Sequence, residues 1–266
     1  MVQDRGMSLF SPPCPWPLPT WIAHRGGGSL APENTLAAFR KGASHGFTAF
    51  ECDAKLSRDG VLFLLHDDTL DRTTNRTGPA AQRDWAELQA MDAGSWHSPE
   101  FATEKLATLE AVMDWCWAMG GVLNIEIKPC PGLEAATGQA VANLAAAHPL
   151  GYAGALVLSS FAPQALQAAQ HTTPHVPRMA LVEKIDAHVW TWAQAIGCQA
   201  LAAEQASWTP TALARCQTLG WASAAYTVND GAAAARLLAW GVTSVFTDAI
   251  DHLGPGAPTT KPASPG

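Results

Sequence analysis

The chain has 266 residues, enough for one large domain with a sizeable core or for two small ones, and a single α/β barrel is the economical reading. With 16 Lys and Arg against 23 Asp and Glu the formal charge is −7, which opposes non-specific attraction to nucleic acid and leaves an anionic ligand dependent on a local cluster of Arg, Lys and metal. The 6 cysteines (Cys14, Cys52, Cys116, Cys130, Cys198 and Cys216) have neither zinc-ribbon nor disulfide-framework spacing, and the chain carries neither a signal-peptide core nor about 20 uninterrupted apolar residues. A cytoplasmic protein without membrane insertion is expected.

In chain order, residues 1–20, Pro-rich from 11 to 19, read as an N-terminal tail, and 254–266 as a disordered C-terminal tail. The span 21–253 between them alternates short β-rich runs with Ala- and Leu-rich segments of helical length, the pattern of repeated strand-then-helix units around a parallel sheet. Strands are predicted near 21–25, 49–57, 61–66, 122–128, 155–160, 179–183, 200–204, 223–228 and 244–247. That is one more than an eight-stranded barrel needs. The second and third candidates are separated only by Ser57-Arg58-Asp59-Gly60, too short for a crossover helix, and Asp-Gly between apolar runs signals a hairpin. The expected fold is therefore a (β/α)₈ TIM barrel with a hairpin extension of strand 2. Residues 67–115 form a small inserted subdomain over the mouth, where Asp92-Ala93-Gly94-Ser95-Trp96 is a candidate lid element and His97 a residue to watch.

The first strand, Trp21-Ile22-Ala23, runs into His24-Arg25-Gly26-Gly27-Gly28, where glycines let backbone amides approach an anion and Arg25 offers a planar fork for two phosphate oxygens. In Ala31-Pro32-Glu33-Asn34-Thr35, Glu33 and Asn34 either start a helix or orient the site from behind. On the second strand Glu51 and Asp53 share a face. A two-residue Asp59-Gly60 loop pairs Arg58 with Val61, Asp53 with His66 and Glu51 with Asp68, placing His66 beside two carboxylates. Asn124-Ile125-Glu126-Ile127-Lys128 puts Asn124, Glu126 and Lys128 on one face, as site residues or as a structural ion pair. Three carboxylates converging at a barrel mouth call for a hard divalent cation, Mg²⁺ or Ca²⁺. Glu204 ends a barrel strand, where solvent exposure is the commoner outcome.

Taken together, His24-Arg25-Gly26, Pro32-Glu33-Asn34-Thr35, Glu51-Cys52-Asp53, Ser57-Arg58-Asp59-Gly60, His66-Asp67, Glu126-Ile127-Lys128, Tyr226-Thr227-Val228-Asn229 and Thr247-Asp248 resemble, in order, the glycerophosphodiester phosphodiesterase family, particularly its bacterial cytosolic members. The resemblance covers about residues 21–250. It implies Glu51, Asp53 and Glu126 as metal ligands, His24 and His66 as the acid/base pair, and Arg25 and Lys128 as phosphate holders, with glycerophosphocholine or glycerophosphoethanolamine split to sn-glycerol 3-phosphate and an alcohol. Tyr226 stands where family members often carry Trp, which bears on stacking against the glycerol or alcohol moiety, and 101–109 lacks the family's usual Gly and Pro. His24 is expected as base and His66 as acid, with the reverse order and either water or the glycerol hydroxyl as nucleophile left open. Two other readings are a lysophospholipase D-type enzyme on the same barrel and a catalytically silent barrel that binds phosphorylated ligands.

Overall fold

The computed structural model describes residues 16–148 and 155–256. Nine strands form one sheet: β1 (Trp21–Ala23), β2 (Ala49–Leu56), β3 (Leu62–Leu64), β4 (Val122–Ile127), β5 (Leu156–Ser160), β6 (Arg178–Val182), β7 (Ala200–Glu204), β8 (Ala222–Tyr226) and β9 (Ser244–Thr247). The order is β1-β9-β8-β7-β6-β5-β4-β2-β3, and β1 also pairs with β2. The pairing closes eight parallel strands into a barrel, with β3 antiparallel on β2 outside the ring. This is the expected (β/α)₈ barrel with a hairpin extension of strand 2.

Helices α1 (Leu36–Ser44), α3 (Leu109–Ala118), α4 (Glu134–Ala147), α5 (Pro163–Thr172), α6 (Ala187–Ala195), α7 (Pro210–Leu219) and α8 (Gly231–Trp240) pack outside the strands, and the four-residue α2 (Trp85–Leu88) lies in the insertion. Each barrel strand is buried on both faces, so outward residues such as Phe50, Ile125, Leu158 and Val245 join the helix-facing core, while Ile22, Val157, Met179 and Phe246 fill the barrel interior. Among the described residues no helix is long and apolar enough to cross a membrane.

Of the segment expected as an N-terminal tail, residues 1–15 lie outside the described residues. Trp16 and Leu18 pack on the inward-facing residues at the strand starts, with Leu18 buried, and so cover apolar surface at that end of the barrel. The expected C-terminal tail lies outside the described residues from 257 onward. Leu70, Leu88, Met91 and Leu106 of the insertion build a small core with Phe63 and Leu65 of the hairpin arm, whereas the insertion runs at its end into α3, whose Leu109, Val112, Met113 and Cys116 belong to the barrel core.

The hairpin register differs from expectation by one residue. Ala54, Lys55 and Leu56 pair with Leu64, Phe63 and Leu62, and Ser57 N–H donates to Val61 O at 2.9 Å, leaving a three-residue loop, Arg58-Asp59-Gly60. Only Gly60, at φ +86°, is left-handed, whereas a two-residue type I′ turn needs both central residues there, so the two-residue loop expected for Asp59-Gly60 does not form. Asp59 stays out of the left-handed region and accepts from Ser57 Oγ at 2.6 Å and Trp85 N–H at 2.9 Å. As a result Asp53 faces Leu65, whose N–H donates to Asp53 O at 3.1 Å, and neither the Asp53–His66 nor the Glu51–Asp68 pairing occurs.

Candidate active site

The strand alternation that puts Glu51 and Asp53 on one face aims both into the barrel mouth, and the β2–β4 register sets Asp53 beside Glu126 and Glu51 beside Asn124. One carboxylate oxygen from each of Glu51, Asp53 and Glu126 lies within 4.8 Å of the others, and all three residues are buried. Burial first, then Asp53 and Glu126, push the Glu51 carboxyl well above the usual range. Burial and Asp53 likewise push Glu126 up to about 7. Asp53 goes the other way. Burial raises it too, but Arg25, Lys128 and His66 outweigh burial and hold it at about 2. Glu51 Oε1 is buried without a hydrogen-bond partner. A buried set of carboxylate oxygens without sulfur or imidazole ligands fits a hard divalent cation.

His24, just past β1, gives Nδ1 to Asp248 Oδ1 at 2.7 Å and leaves Nε2 toward Glu51, 3.8 Å from its Oε2. Gly28, left-handed at φ +54°, brings this turn against β9: a Cβ there would sit 2.1 Å from the Asp248 carbonyl oxygen, and Gly28 N–H instead donates to His24 O. That glycine therefore serves the close approach of two backbone segments, a use the expected anion-cradling role did not include. His66 follows β3 and reaches the site from a loop. Its Nδ1 is 2.8 Å from Asp67 Oδ1 and its Nε2 is 3.0 Å from Lys128 Nζ. Burial, with the charges of Arg25 and Lys128, lowers the His66 pKa against the opposing pull of Asp53 and Asp67.

Arg25 occupies the left-handed region at φ +50°, uncommon for a side-chain-bearing residue. Its N–H donates to Glu51 Oε2 at 2.9 Å, its Nη1 to Glu33 Oε1 at 2.9 Å, and its Nε lies 3.4 Å from Asp53 Oδ2. Lys128 Nζ is 2.9 Å from Glu126 Oε1 and 3.8 Å from Asp53 Oδ1. Asn34, also left-handed at φ +62°, donates from Nδ2 to Asp53 Oδ2 at 2.8 Å and accepts from Asp53 N–H at 3.1 Å. Of the two readings of Glu33 and Asn34, helix initiation does not hold: Thr35 caps the helix and α1 begins at Leu36, because Asn34 is committed to Asp53 in a conformation no helix contains.

A cavity of about 690 Å³ contains His24, Arg25, Glu51, His66, Glu126 and Lys128 and extends to Phe161 and Tyr226. Tyr226 is fixed by its hydroxyl donating to Val182 O at 2.7 Å and by an edge contact with Phe161, whose ring Lys128 Nζ overlies at 5.4 Å. Glu204 turns to the Ala206 N–H instead of the cavity. His97 is in a neighbouring groove with Trp96, where its Nε2 is 3.1 Å from Ser29 O.

Four functional-looking residues were given no role from sequence, although Asp67 and Asp248 stand in the motifs quoted above. Lys55 is 1% exposed, with Nζ 2.7 Å from Asp68 Oδ1 and 3.2 Å from Lys128 O. The others are Asp67, Arg72 and Asp248. Lys55 continues the face of Glu51 and Asp53 at the same two-residue spacing. The Asp248 signal was barrel closure itself: β1 and β9 pair Ala23 with Thr247, so His24 and Asp248 are the next residues on adjoining strands.

Fold and mouth chemistry together define a (β/α)₈-barrel enzyme. A phosphodiesterase of Oleispira antarctica, solved with the product sn-glycerol-3-phosphate, aligns with a TM-score of 0.82 at 34% identity, over 87% of this chain and 94% of that one. A glycerophosphodiester phosphodiesterase from Agrobacterium tumefaciens C58 aligns at 0.74 and 26% identity, over 88% and 98%. The Bacillus subtilis glycerophosphodiester phosphodiesterase is 31% identical over 255 residues, which is 86% of this chain and 83% of the relative. The sequence profile of the glycerophosphoryl diester phosphodiesterase family matches residues 24–252, and the chain belongs to that family.

Proposed function

We propose that this protein hydrolyses glycerophosphodiesters, such as glycerophosphocholine and glycerophosphoethanolamine, to sn-glycerol 3-phosphate and an alcohol, with Mg²⁺ or Ca²⁺ held by Glu51, Asp53 and Glu126. The observation that carries this reading is one cavity in which Glu51 and Glu126, clustered with the buried Asp53, face Arg25, Lys128 and two imidazoles, each with Nδ1 held by a carboxylate. A cation bound there supplies Lewis-acid charge for the phosphoryl oxygens.

Arg25 and Lys128 hold the phosphate by charge-assisted hydrogen bonds, and Tyr226 with Phe161 walls the organic part of the substrate. Asp67 and Asp248 fix their histidines so that both Nε2 atoms serve the reaction. The Lys128 ammonium donates to Nε2 of His66, which keeps that nitrogen unprotonated and favours His66 as base and His24 as acid, the reverse of the order expected from sequence. His66 takes a proton from the attacking water, the water oxygen bonds to phosphorus, the phosphorus–alcohol oxygen bond breaks, and His24 protonates the departing oxygen.

Glu33 and Asn34 orient Arg25 and Asp53 from behind. We assign catalysis to the span 21–253, with the insertion beside its mouth, and place the protein in the cytoplasm, supported by the five cysteines among the described residues, all free and buried. The net charge of −7 speaks for a small-molecule partner over nucleic acid.

The test is release of sn-glycerol 3-phosphate and head-group alcohol from a panel of glycerophosphodiesters, and of head-group alcohol from lysophospholipids, with and without divalent cation. Release from the soluble diesters that chelation abolishes and Mg²⁺ or Ca²⁺ restores is the expected result. Turnover confined to lysolipids, or binding without turnover, would overturn it.

A further inference from the structure

Arg72 lies in the insertion, and its guanidinium bridges two carboxylates that belong to different halves of the site. Nε is 2.7 Å from Asp67 Oδ2 and Nη2 is 3.0 Å from Asp67 Oδ1. On the other side Nη1 is 2.7 Å from Glu33 Oε2 and Nη2 is 2.8 Å from Glu33 Oε1. Each carboxylate has a second partner in the site, since Asp67 Oδ1 holds Nδ1 of His66 at 2.8 Å and Glu33 Oε1 accepts from Arg25 Nη1 at 2.9 Å. The chain of contacts runs His66, Asp67, Arg72, Glu33, Arg25, so Arg72 joins the arm that carries His66 to the turn that carries Arg25.

We infer that Arg72 is a positioning residue that sets the His66 imidazole and the Arg25 fork at the same time, so that the insertion completes the site by supplying it. Without Arg72, Asp67 and Glu33 face one another as like charges, and each is free to turn away from the group it orients. The role needs a planar donor fork, because four contacts to two bidentate carboxylates cannot be made by an ammonium. The side chain of Arg72 is 43% exposed, so its removal leaves no buried cavity or unpaired core charge. The inference rests on the roles proposed above for His66 and Arg25.

The experiment uses the full chain, glycerophosphocholine with Mg²⁺ or Ca²⁺, and calorimetric binding of sn-glycerol 3-phosphate. Arg72→Ala is expected to fold with a near-native thermal midpoint and to lose about 10–100-fold in kcat/KM, the scale for removing an orienting partner. The loss should divide into a kcat part through Asp67 and a KM part through Glu33. Arg72→Lys should recover little of it, and millimolar guanidinium should restore part of the Arg72→Ala activity where ethylammonium does not. In an Asp67→Asn background Arg72→Ala should lower kcat little further, and in Glu33→Gln it should raise KM little further. Native kinetics in Arg72→Ala, full function in Arg72→Lys, or losses that simply add to those of Asp67→Asn and Glu33→Gln would each overturn the inference. If the wild-type protein hydrolyses nothing but binds sn-glycerol 3-phosphate, the proposed function fails alone, and equal affinity in wild type and Arg72→Ala then overturns the clamp as well. Absence of both hydrolysis and binding in the wild type overturns both.

Discussion

Nζ of Lys128 lies 3.0 Å from Nε2 of His66, so the imidazole nitrogen that faces the cavity accepts a hydrogen bond from an ammonium and carries no proton of its own. Burial and the Lys128 and Arg25 charges act in the same direction and lower the His66 pKa from its ordinary value near 6.5. A base that must be neutral then loses activity only at acid pH. With the cation kept saturating across the pH range, the acidic limb of kcat/KM should have its midpoint below about pH 6.5, and Lys128→Met should move it upward while reducing activity. A wild-type midpoint at or above that value would remove His66 from the base role. The sign for stability agrees: the unfolded chain protonates His66 first, so its contribution is full above the unfolded pKa and is lost as pH falls through the folded one.

The carboxylate cluster makes a second prediction. Glu126, pushed up to about 7, and Glu51, pushed well above the usual range, must both ionise to hold a cation, so binding releases protons. Affinity for Mg²⁺ or Ca²⁺ should therefore rise from pH 6 to pH 8, and the heat of binding should vary with the ionisation enthalpy of the buffer. Saturating cation at about 100 times Kd should add about 2.7 kcal/mol to stability. Glu51→Gln should weaken binding, and a pH-independent, buffer-independent affinity would refute this account of the cluster.

Asp248 should matter to turnover more than to substrate binding. It holds His24 at 2.7 Å, His24 in turn lowers the Asp248 pKa against the effect of burial, and Asn229 Nδ2 donates to its other oxygen at 3.1 Å. Asp248→Asn keeps the shape but removes the charge and favours the wrong His24 tautomer. We expect kcat about 10–100-fold lower, with a smaller change in KM and an unchanged fold. Wild-type kcat in this variant would show that His24 needs no orienting partner.

Asn34 combines a left-handed backbone with two hydrogen bonds to buried Asp53. Asn34→Ala should cost about 2–3 kcal/mol in denaturant unfolding from the lost bonds and the added backbone strain. Asn34→Gly should be milder by about 1 kcal/mol, since glycine adopts that conformation freely. Equal losses in the two variants would mean that the backbone contributes nothing.

Much of the architecture was legible because period-2 alternation and strand spacing report directly on which side chains enter a barrel. All seven residues with proposed metal, acid/base or phosphate roles come together at one mouth, and Glu51 with Asp53 could be placed on one face without any structure. The hairpin register was not legible, because Ser57-Arg58-Asp59-Gly60 supports a two-residue or a three-residue loop and the choice rests on Asp59 contacts with Ser57 and with Trp85, which lies 26 residues away. Arg72 escaped notice for a related reason: its partner Glu33 is 39 residues distant, and nothing local to either marks the pair. Barrel closure, which sets His24 beside Asp248, was available from the predicted strand order but had to be applied to the ends of the chain.

The three-residue loop has one more consequence. Because the ladder ends with Leu65 opposite Asp53, His66 hangs beyond the last paired residue and is carried by the chain that enters the insertion, while Glu51, Asp53 and Glu126 remain fixed within parallel strands. The proposed cation ligands are thus held by the barrel strands themselves, while the His66 imidazole is delivered by the chain that leads into the insertion, so the two are positioned by different parts of the backbone.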